Sequence, residues 1–159
     1  MKNMIIIRHG KAEHSGEKAD INRRLTDEGV KSINALGKYL LSIDLLPDII
    51  VSSDAMRAKM TADIVAREVH CKNIIYKDLL YAGTFEEILI FYESLRERNV
   101  LIVGHNPTLD KLIAHMLEIP CETIHLSTGS MIHLNFSHDK WKLKNFMKSK
   151  ELNNFIATI

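Results

Sequence analysis

Short unbroken apolar runs alternate along the chain with stretches whose apolar positions recur every three or four residues. Met4-Ile5-Ile6-Ile7 is continuous and mostly β-branched, the pattern of a strand covered on both faces. Asp48-Ile49-Ile50-Val51 and Asn99 to Val103 repeat that pattern, and Asn73 to Tyr76 is a shorter version of it. Between the runs lie helical spacings. Thr26 is a natural N-cap before Asp27 and Glu28, and Val30, Ile33, Gly37, Leu40 and Leu41 carry one face to about Ile43. A second helix is expected from about Ala55 to His70. Thr84-Phe85-Glu86-Glu87 opens another in capping-box form. Pro107 is expected in the first turn of a helix that ends near Leu117, where its missing N–H costs nothing. Met131 to Phe136 alternates as a strand, with Trp141 to Phe146 as its hairpin partner. Leu152, Phe155, Ile156 and Ile159 share one helical face that packs back onto the body. Residues 10–25 are polar and irregular, as in a surface loop.

Strands separated by helices predict an α/β three-layer sandwich, with a mainly parallel sheet, an antiparallel edge and helices on both faces. The 159 residues, without repeats or a Pro-, Gly- or Ser-rich linker, fit a single domain over 1–159. Hydrophobic residues make up 46% and charged residues 26%, too apolar for a disordered chain. A net charge of +1 argues against general nucleic-acid binding, which rests on clustered Lys and Arg. Any anion site is therefore local. The apolar run before Arg8 is too short for a signal peptide, and no stretch is long enough to span a membrane. Cys71 and Cys121 have no metal-type spacing and are expected as two buried free thiols, which suits a reducing, cytoplasmic setting. A monomer is the default.

Chemistry concentrates at three strand-to-helix junctions: Ile7-Arg8-His9-Gly10, Val51-Ser52-Ser53-Asp54-Ala55-Met56-Arg57 and Val103-Gly104-His105-Asn106-Pro107. Ligands of open α/β sheets bind at the carboxyl ends of the strands, where helix N-termini also favour anions. Two imidazoles and two guanidiniums could converge there on one small anion. A neutral imidazole is a competent nucleophile toward phosphorus, and guanidinium pairs bidentately with phosphoryl oxygens. Gly10 is expected to let the backbone pass close to the ligand.

These junctions carry a resemblance. Arg8-His9-Gly10 resembles the R-H-G signature of the histidine phosphatase (phosphoglycerate mutase-like) superfamily. Ser52 to Ala62 resembles its S-x-x-x-R-x-x-x-T-A element, and Gly104-His105-Asn106-Pro107 its second-histidine motif. The motifs occur in the family's order, over about residues 4–136. Arg23-Arg24-Leu25-Thr26-Asp27-Glu28-Gly29 is similar to the R-P-L-T-x-x-G stretch of the SixA-type branch, with Arg24 where that branch has proline. The resemblance implies a cofactor-independent phosphatase without a metal. His9 would be the nucleophile, and Arg8, Arg57 and His105 would hold the phosphoryl group. Arg23 and Asn106 would add contacts to the substrate. It also implies phosphohistidine on a partner protein as substrate.

Other readings remain open at this point. The same residues would serve a small phosphate ester, a non-catalytic phosphoprotein-binding module, or a metallohydrolase built on His9 and His105. Larger superfamily members use a glutamate as general acid. Glu86 and Glu87 are the nearest candidates, but Glu87 already has a capping role and Glu86 reads as a solvated first-turn charge. His14, His70, His115, His125, His133 and His138 read as ordinary residues, with the face occupied by His133 undecided.

Overall fold

The computed structural model describes residues 2–152 together with 154 and 155. Six strands form one sheet: β1 (Lys2–Arg8), β2 (Ile49–Ser53), β3 (Ile74–Lys77), β4 (Asn99–Gly104), β5 (Met131–Ser137) and β6 (Lys140–Met147). Their order is β3-β2-β4-β1-β5-β6. The first four are mutually parallel, while β5 runs antiparallel to β1, and β6 antiparallel to β5. The expected parallel sheet with an antiparallel edge is the sheet observed.

The unalternated apolar runs have a direct cause: both faces of the sheet are covered. Ile5 and Ile7 point to one face, where they pack with Ile33, Leu36 and Leu40 of α1 (Asp27–Ser42) and Val65 of α2 (Met56–Val69). Met4 and Ile6 point to the other. There they meet Ile88 of α4 (Phe85–Glu93) and Leu109, Leu112 and Ile113 of α5 (Thr108–Leu117). The short helix α3 (Leu79–Ala82) adds Leu80 to this second cluster; its single turn left no periodicity to read in the sequence.

Helix starts follow local chemistry. Thr26 accepts from the Gly29 amide, and Thr84 with Glu87 forms the expected reciprocal capping box. Pro107 departs from expectation by one residue. It stands at the N-cap of α5, and its carbonyl accepts the Lys111 amide. The thiols depart further. Cys71 is half-buried just past the end of α2, and Cys121 is exposed at the start of a short 3₁₀ turn, Cys121–Thr123. Leu152 is buried, and Phe155 meets the Tyr39 ring edge-on at 5.5 Å. Ile156 and Ile159 lie outside the described residues.

The loop after β1 is fastened to α1 by a close approach. The Lys11 carbonyl accepts the Thr26 amide and passes so near Gly29 that a Cβ there would lie 2.2 Å from the carbonyl oxygen. Gly29→Ala therefore forces backbone apart. The expected cost is about 1–3 kcal/mol, read as a fall in Tm of about 2–4 °C per kcal/mol. An unchanged Tm in thermal unfolding would show that the loop yields without cost.

Candidate active site

Strand register brings the three junctions to one level. Arg8 lies opposite Gly104, and Val103 lies between Ile7 and Ser52. The residues that follow step off the same sheet edge together. The His9 amide donates to the Gly104 carbonyl at 3.1 Å, so the two histidine-bearing turns are tied to each other. The N-termini of α2 and α5 open at this edge.

A cavity of about 340 Å³ occupies it, lined by Arg8, His9, Lys11, Ala12, Arg23, Arg57, His105, Asn106 and Thr128. All six residues expected at the site are there. A hollow of about 880 Å³ lies elsewhere, bounded by α4, α5 and the β5–β6 hairpin. Its charges are of mixed sign, with Lys2 and Lys140 facing Glu93, Glu118 and Asp139, so it offers no comparable focus for an anion.

His9 is 7% exposed, and its Nδ1 lies 2.8 Å from the Gly10 carbonyl oxygen. A carbonyl can only accept, so the ring proton sits on Nδ1. The Nε2 lone pair is left on the side of Arg57, whose Nε lies 3.4 Å away. Burial first, then the neighbouring guanidiniums of Arg57, Arg8 and Arg23, pushes the imidazole down to about 4. The Gly10 carbonyl opposes that shift and is outweighed. The ring is neutral at neutral pH.

His105 is placed 5.0 Å from His9, ring to ring. Its Nε2 lies 2.8 Å from Ser53 Oγ, which already accepts the Ala55 amide. The other ring nitrogen, Nδ1, is buried and has no hydrogen-bond partner among the described residues. Burial, then His9 and Arg57, pushes this imidazole down to about 3.

Arg57, in the first turn of α2, is 6% exposed. Its Nη1 donates to the Asp20 backbone oxygen at 2.9 Å and its Nη2 to Asp20 Oδ2 at 3.1 Å. Arg23 donates through Nε to the Glu13 carbonyl at 2.7 Å and through Nη1 to Asp20 Oδ1 at 3.0 Å. Arg8 donates to the Leu126 carbonyl at 3.1 Å, and Asn106 Nδ2 donates to the same oxygen at 2.8 Å. Asp110, 8% exposed, takes the Leu126 amide at 3.0 Å. The Gly129 amide donates to the carbonyls of both Arg8 and His9. The segment 126–129 is thus stitched onto Arg8, His9 and Asn106.

Several participants were not singled out in the sequence. Ser53 lies inside the S-x-x-x-R element, Asp20 stands three residues before Arg23, and Asp110 falls in the first turn after the second-histidine motif. Tyr81 and Leu126 left no signal, being placed by tertiary packing alone. Gly10 has a different role from the one expected. A Cβ there would meet Ile33 and Leu25 side chains at 2.8 and 3.2 Å, so its smallness serves packing against α1 rather than approach of a ligand. Glu86 and Glu87 are exposed and do not line the cavity. Neither do the other six histidines; His133 is half-buried and bonded to Asn3 at 2.7 Å. Among the described residues, no cluster of three His, Cys, Asp or Glu side chains could hold a metal ion, and no helix is long and apolar enough to cross a membrane.

The family model described as histidine phosphatase superfamily (branch 1) matches residues 4–87, and the chain belongs to that superfamily. A curated relative is the mitochondrial serine/threonine-protein phosphatase Pgam5 of Drosophila ananassae, 32% identical over 68 residues. That match spans 43% of this chain and only 23% of the relative. The fold is shared with SixA from Agrobacterium tumefaciens, at TM-score 0.83 and 24% identity, covering 92% of this chain and 97% of that one. It is also shared with the protein histidine phosphatase SixA bound to tungstate, at TM-score 0.84, 19% identity and coverage of 94% and 99%. A phosphoserine phosphatase of Entamoeba histolytica follows at TM-score 0.74 and 17% identity, covering 96% and 100%.

The two buried imidazoles link stability to pH. Unfolding returns each to its ordinary 6.5, so below that pH the unfolded chain binds protons that the folded chain refuses until about 4 for His9 and 3 for His105. Their contribution is complete above pH 6.5 and is lost as the pH falls from there toward 3. Urea unfolding between pH 7.5 and 4.5 should show wild-type stability falling more steeply than that of the His9→Gln/His105→Gln double variant. Parallel curves would contradict the burial of these rings as neutral groups.

Proposed function

We propose that the chain is a phosphatase that forms a phosphohistidine intermediate at His9 and takes phosphohistidine on a partner protein as its substrate. The observation that carries this reading is the tautomer of His9: a neutral ring held by Gly10, with its Nε2 lone pair beside the Arg57 guanidinium. His9 Nε2 attacks phosphorus while the bond from phosphorus to the leaving atom breaks. The ring gains positive charge as the new bond forms, and the Gly10 carbonyl stabilises it through Nδ1–H. Arg8, Arg57 and His105 stabilise the charge on the phosphoryl oxygens; such preorganised groups supply much of a phosphoryl-transfer rate. Arg23 and Asn106 complete the rim. Water then attacks the phosphorus of phospho-His9, the P–Nε2 bond breaks, and inorganic phosphate leaves.

Substrate class follows from the leaving group. Expelling an alkoxide needs a proton in the transition state, and a general acid contributes about 10²–10⁴-fold. Glu86 and Glu87 point to no such role, being exposed and away from the cavity lining. Expelling imidazole needs none at the reacting nitrogen, because the distal ring nitrogen takes a proton from solvent with a pKa near 6.5. The absence of a glutamate from the lining favours the P–N bond.

Brief incubation with labelled phosphohistidine peptide should place phosphate on His9, in an acid-labile, base-stable adduct. His9→Ala should remove both the label and turnover; full activity in that variant would overturn the mechanism. The substrate class is tested separately by kcat/KM for phosphohistidine peptide against a sugar phosphate, on wild type, Glu86→Gln and Glu87→Gln. The peptide should win on wild type, and both variants should stay within about tenfold, since neither proton is required. Preference for the sugar phosphate, abolished by one Gln variant, would replace this reading with a phosphomonoesterase whose acid is that glutamate.

A further inference from the structure

We propose that Asp20 is the positioning residue of the phosphoryl grip, holding one edge of Arg57 so that the other edge faces the phosphorus transferred at His9. The inference rests on the phosphatase reading above and adds a residue to it.

A guanidinium is planar and presents two forks, one made by Nη1 and Nη2, the other by Nε and Nη2. Asp20 takes the first fork whole, with its backbone oxygen on Nη1 and its carboxylate on Nη2. The second fork is the one whose Nε lies 3.4 Å from His9 Nε2, on the side of the attacking lone pair. A carboxylate and a main-chain carbonyl from one residue therefore fix the guanidinium in plane and in rotation. Without them, Arg57 could turn either fork toward the cavity.

Asp20 is itself held. Arg23 Nη1 donates to its Oδ1, and the Tyr81 hydroxyl donates to Oδ2 at 2.7 Å. The Tyr81 ring meets His105 edge-on at 5.5 Å and lies 6.0 Å from the Arg57 guanidinium carbon. Asp20 thus joins the loop after β1, α2 and α3 around the cavity. These donors, the Tyr81 hydroxyl first, keep the carboxylate well below the usual carboxylate range. It is ionised at any working pH, so it has no proton to give a leaving group, and its influence passes through Arg57. The exposure of its side chain, 49%, leaves its removal without a cavity in the core.

The test uses Asp20→Ala, Arg57→Lys and the double variant with phosphohistidine peptide, together with ¹⁵N NMR of the Arg57 Nε–H group. Asp20→Ala should lower kcat by about 10²-fold, the order of loss for a misplaced catalytic group, with KM changed less than about threefold. In the Arg57→Lys background the same substitution should cost little further, because the two residues act as a unit. The Arg57 Nε–H signal should be shifted and slowly exchanging in wild type. In Asp20→Ala, which keeps the main-chain carbonyl on Nη1 and the approach of Nε to His9, it should move and exchange faster. Equal losses in both backgrounds, unchanged kcat, or an unaltered Arg57 signal would each overturn the proposal. A wild type with neither turnover nor phosphoenzyme would defeat the phosphatase reading instead, and the NMR signal would still decide whether Asp20 fixes Arg57.

Discussion

Everything at the site depends on β2, β4 and β1 ending at one level. Parallel pairing in the observed register places Ser53, Gly104 and Arg8 side by side, although they are separated by dozens of residues in the chain. The next residues can then supply two imidazoles and two guanidiniums to a single cavity without any long excursion of backbone. A slip of one residue in β1 would turn Ile5 and Ile7 to the opposite face, which the two packed helical layers forbid. The apolar core therefore enforces the alignment on which the polar edge relies.

Around that edge, much of the positioning is done by main-chain oxygens. Arg8 and Asn106 share the Leu126 carbonyl, Arg57 bonds the Asp20 carbonyl, and Arg23 bonds that of Glu13. Such acceptors stabilise cations without a full negative charge near a phosphoryl dianion, and they work beside the carboxylate of Asp20, which also holds Arg57 and Arg23. Asp110 sits one step back, on the Leu126 amide, where it contributes to the shape of the segment rather than to the cavity lining.

The layers and strand directions were legible because burial on both faces writes an unbroken apolar run, and covered helices write a periodic one. The edge residues were legible for a similar reason: Arg8 ends, and His9, Arg57 and His105 follow, a strand that could be recognised. What could not be read was contact between separate loops. Tyr81 reaches Asp20 across 61 positions, and no local pattern marks either as its partner. Gly10 was misread because a small residue beside a ligand and one beside a packed helix look alike in sequence; only the positions of Ile33 and Leu25 separate them. Cys121 was misread because a thiol's usual burial says nothing about its place on an exposed 3₁₀ turn.

The bond from His9 Nδ1 to the Gly10 carbonyl has an evolutionary consequence. In many hydrolases the orienting group for a histidine is another side chain, which a single base change can delete. Here the acceptor is part of the polymer itself, present whatever amino acid occupies position 10. Genetic drift can alter the fit against Ile33 and Leu25 but cannot erase the group that decides which nitrogen carries the proton. The chemical form of the ring is inherited with the course of the backbone, and only a change in how β1 ends could take it away.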